Sequence, residues 1–385
     1  MLYTPAFWAL FFANLTTVAS FAAFFLFPLF ITEQGGGEGE IGLAMGIFAL
    51  ASTLCRPWVA ESIDRLGRKK SYLAGCLLMT ALPCVYPVFL GGISWPALLL
   101  LRAAHGVGLA ICFTAVFTYV ADIIPAERLN EGIGIFGISG LVGMALGPLL
   151  GEAVLDRFGF VAFFLLSAAL AAVALGLVLP LPESSRSTAY RSATTSFFAL
   201  MRRRKFLVVG ILSLFFGFGL AATANFVAPL AEARRIPVIS FFYLAYSGAA
   251  VGIRLLGGRL SDRVGEARML PWALLVTAAG ILALVVVESE TSLVLAGLLA
   301  GSGHGLLFPA LNTLAVRNEP FEMRGKATGI FTGGIDAGNF LGSFLLGLIG
   351  DLGGLSPLFA VAGGALLLGL AVVPLHKARA DGGPG

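Results

Sequence analysis

Four ionisable side chains stand inside long apolar stretches: Arg102 in Leu98-Leu-Leu-Leu-Arg102, His105 nearly one turn further on, His304 between Gly303 and Gly305, and Asp336 in Gly333-Gly-Ile-Asp336. A carboxyl group shielded from water titrates closer to neutrality, where histidine titrates already. Asp336, His304 and His105 are therefore candidate proton carriers; the plainer reading of each is a neutral, hydrogen-bonded packing residue. An arginine at the centre of a bilayer costs from about 2.5 to more than 10 kcal/mol. Arg102 must then face protein or water, unless its place near the start of its run lets it snorkel to the nearer surface. Asn339 shares a helix face with Asp336, and His304, Phe308 and Asn312 recur at helical spacing. Asn14 and Asn225 either line a cavity or bond one helix to another.

Membrane helices must position these side chains. Of 385 residues, 58% are hydrophobic and 12% charged, with a mean hydropathy of +0.93; that is about half the charge share of a soluble domain. A helix needs roughly 20 apolar residues to cross the hydrocarbon. About twelve runs qualify, near 5–32, 41–61, 71–92, 96–121, 132–154, 159–180, 206–231, 238–258, 269–288, 292–316, 327–349 and 356–375. The first is read as a retained span, because it has no basic segment before it, no small-residue cleavage site and an apolar core longer than a signal peptide's.

Lys and Arg accumulate in short cytoplasmic loops. With the amino terminus inside, about 19 of the 25 Lys and Arg fall on the cytoplasmic side. Arg157, Arg234 and Arg235 fall outside, and Arg56, Arg102 and Arg254 within spans. Both termini are expected in the cytoplasm. Arg56 and Arg254 lie near the inner ends of their helices and are read as reaching the cytoplasmic interface. The net charge of +4 reflects this sidedness, so no nucleic-acid partner is expected. Cys55, Cys76, Cys84 and Cys112 form no Cys-x-x-Cys pair and are read as buried thiols. With no metal-ligand cluster and no nucleotide-binding loop, no metal, no cofactor, no ATP-driven step and no enzymatic activity are expected.

The chain is a duplication. Arg56-Pro-Trp-Val-Ala60-Glu-Ser-Ile-Asp64-Arg65-Leu-Gly67 recurs as Arg254-Leu-Leu-Gly-Gly258-Arg-Leu-Ser-Asp262-Arg263-Val-Gly265. His105-Gly106 answers to His304-Gly305, and Gly134-Ile-Phe136 to Gly329-Ile-Phe331. The expected domains are a six-span bundle over 1–181, a polar central loop over 182–205, a second bundle over 206–376 and a tail over 377–385. The end of the loop, Ser196 to Lys205, reads either as an interfacial helix or as ordinary basic anchoring of the next span. A parallel repeat of this length is the mark of a site enclosed between two halves.

Asp64-Arg-Leu-Gly67-Arg68-Lys69, with its echo Asp262-Arg263-Val-Gly265, resembles the loop signature of the major facilitator superfamily, and the resemblance covers nearly the whole chain. Ala60 stands where the family has Gly in the first copy, and Glu266 replaces the basic residue after Gly265 in the second. The resemblance implies an all-α membrane protein of twelve transmembrane helices in two pseudo-symmetric six-helix bundles. It also implies that Asp64 sits against the start of span eleven and Arg68 against Asp122 when the cytoplasmic side is closed. Asp64, Arg65, Gly67, Arg68, Asp122, Asp262, Arg263 and Gly265 would then latch the outward-facing state; the plainer reading is solvated loop charges. Arg102 to Gly108 resembles the family's second motif, which implies a cavity-facing arginine linked to proton coupling. Gly143-Met-Ala-Leu-Gly147-Pro148-Leu-Leu-Gly151 resembles the motif of the family's antiporter branches. Glycines four apart let helices approach closely and Pro148 bends a helix, as a rocking interface requires.

The expected function is secondary transport of a small solute by alternating access, as proton-coupled export of the bacterial drug- or sugar-efflux kind. Solute, protons and the lipid bilayer of the bacterial inner (plasma) membrane are the partners, and the protein is expected to act as a monomer. Protonation of Asp336, with His304 or His105, would neutralise the cavity, while Arg102 binds an anionic group or a neighbouring carboxylate. Asn14, Asn225, Phe308 and Asn339 are the substrate-cavity candidates. Proton symport or facilitated uptake is the alternative, and a non-transporting membrane sensor a remote one. Many efflux relatives carry an acidic residue within span one, whereas here Glu33 falls at its outer end.

Overall fold

The computed structural model describes residues 3–125, 128–184, 197–264, 266–317 and 319–374, with side chains for all of these except 64, 129–130, 197–198, 256–264, 266–267, 321–322 and 324–325. Among the described residues every regular element is a helix. Ten helices among the described residues are long and apolar enough to cross a membrane. In chain order, α1 runs Pro5–Glu33, α2 Glu38–Leu66, α3 Arg68–Gly91 and α4 Trp95–Ile123. The run Leu129–Val178 turns at Gly159, whose φ of 72° is left-handed and suits a residue without Cβ, so it comprises α5 before the turn and α6 after it. Gly151 of α5 faces Phe163 of α6 across that turn. The second half contains α7 Arg204–Asn225 with its extension Val227–Ala233, α8 Ser240–Val264, α9 Glu266–Ala283, α10 Glu290–Val316, α11 Phe321–Gly353 and α12 Leu355–Val372. Taking α5 and α6 separately and adding α8 gives twelve helices in two groups of six.

Local sequence explains their shape. Pro28 and Pro229 follow helix interruptions at Phe24–Leu26 and Phe226, so α1 and α7 are broken at matching depths, as expected where proline removes a backbone donor. The helices carry apolar residues on faces that meet other helices and on faces that meet lipid; Val88, Leu100 and Leu352 are among the most exposed.

Within the first half, α5 lies close against α1, because a Cβ on Gly143 or Gly147 would run into the backbone of Leu15 or Ala19. Gly338 and Gly342 of α11 approach Leu214 and Phe218 of α7 in the same way. The antiporter-like motif thus fastens two helices of one half together. The expectation that it forms the moving interface is corrected, since its glycines face α1 of their own bundle. The small-residue contact between halves is Gly42 and Gly46 of α2 against Ser343 and Gly347 of α11.

The end of the bundle at which α1 begins and α12 ends is the terminal end, and the opposite one the far end. At the far end, Asp351 of α11 accepts from Gly39 N at the start of α2 (2.8 Å), and Glu152 of α5 accepts from Ile239 N and Ser240 N at the start of α8 (2.6 and 2.8 Å). Each carboxylate thereby meets the positive end of a helix in the other half. Phe25 and Tyr243 pack across the halves at a ring-centroid distance of 5.4 Å.

The segment before α7 forms a short helix, Phe197–Met201, whose Leu200 is fully buried in the same cluster as Phe206, while Met201 to Arg204 are exposed. One further expectation changes. Cys76 and Cys112 are buried with their sulfurs 3.8 Å apart, whereas Cys55 is half-buried and Cys84 exposed; buried thiols hold for two of the four.

Candidate functional site

Asp336 lies near the middle of α11, and Nη2 of Arg56, from α2 of the other half, stands 2.7 Å from its Oδ2. The two side chains are 37% and 23% exposed, while Arg56 Nε and Asp336 Oδ2 themselves are buried. The contact is a charge pair rather than a well-aligned hydrogen bond, because neither Arg56 Nε nor Asp336 Oδ2 has a partner of hydrogen-bonding geometry. Arg56 therefore does not run to the cytoplasmic interface, because a carboxylate at mid-depth offers its guanidinium a counter-charge. Sequence reading missed it as a site residue. The available signal was that a lone acid deep in a span needs a cation, and that Arg56 opens the duplicated motif.

The other proton-carrier candidates are sequestered within their own halves. His105 Nδ1 lies 3.2 Å from the Tyr86 hydroxyl, with Phe24 edge-on at 4.8 Å. His304 Nδ1 lies 2.6 Å from the Tyr246 hydroxyl, between the rings of Phe216 and Phe308. Neither histidine has a contact with Asp336 among the described residues. Arg102 is fully buried. Its Nε donates to Ala44 O at 3.2 Å, its Nη2 lies 3.2 Å from Met45 Sδ, and its guanidinium rests over Phe24, Phe27 and Phe48 at 5.4, 5.0 and 4.6 Å. All these partners belong to the first half. Arg102 does not snorkel and, among the described residues, meets no carboxylate; cation–π contacts replace its hydration.

Asn14 donates to Ser139 Oγ and Asn225 to Ser343 Oγ, each at 2.7 Å and buried. Both asparagines bond helices within a half, which replaces the cavity-lining reading, since each amide already has its polar partner there. Phe308 stacks on His304 and lies beneath Arg254, whose guanidinium carbon is 5.2 Å from the ring centroid. Asn339, one turn from Asp336, accepts at its backbone oxygen from Ser343 Oγ.

At the terminal end, Gly67 takes a φ of 102° in the turn between α2 and α3. Arg68 Nε stands 3.0 Å from Asp122 Oδ2, which also accepts from Ser184 Oγ at 2.9 Å. Glu183, just past α6, accepts from Lys69 N and Lys70 N at 2.8 and 3.3 Å, satisfying N–H groups that the start of a helix leaves open. Sequence reading did not single out Glu183. Arg65 pairs with Glu61 along its own helix, exposed. The side chains of Asp64, Asp262 and Arg263, and Gly265 altogether, lie outside the described residues. No group of three or more His, Cys, Asp or Glu placed to hold a metal occurs among the described residues.

The chain matches the family described as Major Facilitator Superfamily over residues 9–254 and 235–383. It is 28% identical over 347 residues to the uncharacterized MFS-type transporter YhhS of Escherichia coli (strain K12), covering 88% of this chain and 84% of that one. It is 22% identical over 365 residues to the quinolone resistance protein NorA of Staphylococcus aureus, covering 91% and 90%. Among solved structures, the nucleoside transporter NupG shares the fold at a TM-score of 0.79 and 14% identity, over 98% of this chain and 100% of that one.

Proposed function

The chain belongs to the Major Facilitator Superfamily, and from that premise we propose that it exports a small solute in exchange for protons, with the Arg56–Asp336 pair as the coupling element. As a family member it is a multi-pass membrane transporter of a solute and not an enzyme. The observation that carries the proposal is the charge pair joining the two halves at mid-depth.

A deprotonated Asp336 holds Arg56, and so ties α2 to α11. The positive-inside distribution of Lys and Arg supports a cytoplasmic terminal end. The far-end contacts of Glu152 and Asp351 then support reading the present arrangement as inward-facing. In this cycle the empty carrier loses its proton to the cytoplasm and the pair forms. The tie resists reorientation until solute binding offsets its loss, so an unloaded, unprotonated carrier stays put. On the outer side the solute leaves, a proton neutralises Asp336 so that it no longer holds Arg56, and the protonated carrier returns inward. Protonation and solute binding each relieve the tie that holds the unloaded, deprotonated carrier, so the carrier reorients with one or the other bound, as exchange requires. The export direction is supported by the likeness to a protein named for quinolone resistance and by the glycine motif of α5. Arg68 and Asp122, both of the first half, already meet in the present arrangement, so their pair does not distinguish the two states, and the latch on the outward-facing state is proposed to act through Asp64.

The test is proton release from respiring everted vesicles. Wild type should discharge the pH gradient when its solute is added, and Asp336→Asn should not. Solute-linked discharge that is unchanged in Asp336→Asn would remove the residue from the mechanism, while solute uptake into whole cells driven by an inward proton gradient would reverse the direction.

A further inference from the structure

The duplication places an arginine at matching points of α2 and α8, but the two copies have different surroundings. Arg56 meets Asp336 across the halves. In the register that aligns Gly134-Ile-Phe136 with Gly329-Ile-Phe331, the residue of α5 answering to Asp336 is Leu141. Arg254 therefore faces a helix that lacks the matching carboxylate. Its Nε is buried with no hydrogen-bond partner, and its guanidinium lies over the face of Phe308. Opposite it, on α5 of the first half, is Gly137; a Cβ built there would meet Arg254 Nη1 alone, at 3.6 Å. One turn beyond Phe308 on α10, Asn312 Oδ1 is likewise buried without a partner.

We propose that Arg254 is the anion-binding group of the transport site, and that the solute is an organic anion whose charged group occupies the space before Gly137, one turn from Leu141, where a symmetric molecule would carry its carboxylate. Arg56 and Asp336 cancel, so Arg254 leaves the space between the halves with one uncompensated positive charge among the described residues. A buried guanidinium without a counter-ion is costly, and a bidentate anion relieves that cost with directional bonds. Phe308 holds the guanidinium plane from one side, and Asn312 offers an acceptor to a donor elsewhere on the solute. This inference names the solute class for the transport site proposed above and rests on that reading.

The experiment uses purified full-length protein in a chloride-poor buffer, with binding read from the shift of the thermal unfolding midpoint. The probes share one ring: benzoate, phenylphosphonate and benzenesulfonate, with neutral benzamide and cationic benzamidine. At least one anion should bind wild type and bind roughly 10- to 100-fold more weakly to Arg254→Ala, as for loss of a charged hydrogen-bond partner. Gly137→Asp places a carboxylate opposite Arg254 and should weaken the same anion comparably, while Gly137→Asn, of equal shape, should retain more of the binding. The inference is overturned if no anion distinguishes wild type from Arg254→Ala, if Gly137→Asp and Gly137→Asn behave alike, or if benzamidine is preferred. Its failure is separable from that of proton exchange. A cationic solute that discharges the gradient would leave exchange standing and remove the anion site. An anion whose binding needs Arg254 but whose movement leaves the gradient intact would do the reverse.

Discussion

At the scale of single residues, energetics turn on whether a polar group inside the membrane has a partner. Asp336 has Arg56, and the partial exposure of both makes their coupling modest. A double-mutant cycle with Arg56→Gln and Asp336→Asn, followed by thermal unfolding, should return about 1 kcal/mol, and a value indistinguishable from zero would mean that the contact contributes nothing. Asp336→Asn should also abolish proton-driven transport while leaving solute counterflow intact, because exchange of solute for solute needs no change of protonation. Asn14→Ala removes the bond to Ser139 and should lower stability by about 1 kcal/mol with solute preference unchanged; altered preference would return Asn14 to the cavity. Asp336 stood out in the sequence because a carboxylate in an apolar run is conspicuous. Its partner did not, because Arg56 is the other half's residue and nothing in linear spacing joins them. Arg102, equally conspicuous, turned out to be enclosed by Phe24, Phe27 and Phe48, and which face of α4 is covered by α1 and α2 is a tertiary fact.

At the scale of helices, glycines set how closely α5 meets α1 and α11 meets α7. Gly147→Val and Gly338→Val would force side-chain atoms into the backbones of Ala19 and Leu214. Each should cost about 1–3 kcal/mol as an overpacked interface, seen as a lower unfolding midpoint and reduced yield of folded protein. Gly134→Ala is the matched control: a Cβ there meets nothing within 4 Å, and the exchange should be neutral or stabilise by up to about 1 kcal/mol through helix propensity. Equal damage from all three would show that bulk at these positions matters for some reason other than helix contact. The glycine row was legible as a close-packing stripe, since small residues four apart share one face. Its partner was not, because the same stripe would serve a contact within a half or between halves equally well. The duplication resolves this only in three dimensions, where α11 repeats the arrangement against α7.

At the scale of the whole molecule, two carboxylate caps from opposite halves, Glu152 on α8 and Asp351 on α2, hold the far end together. Each cap contributes about 1 kcal/mol, so removing both through Glu152→Gln and Asp351→Asn should shift the balance of the two states by roughly 30-fold. Single cysteines placed at the far end should become more reactive toward a membrane-impermeant thiol reagent in the double variant, and unchanged labelling would deny the caps a part in the equilibrium. The sequence by itself determined the class of this protein: twelve apolar runs, a duplicated motif and a one-sided distribution of basic residues follow from the cost of exposing backbone and charge to hydrocarbon, which every residue meets wherever it lies in the chain. The tertiary structure alone decided which buried charge meets which. Arg56 and Arg254 are equivalent in sequence, yet one faces Asp336 and the other faces Gly137, because electrostatic partners are fixed by how the two halves dock and not by position along either one.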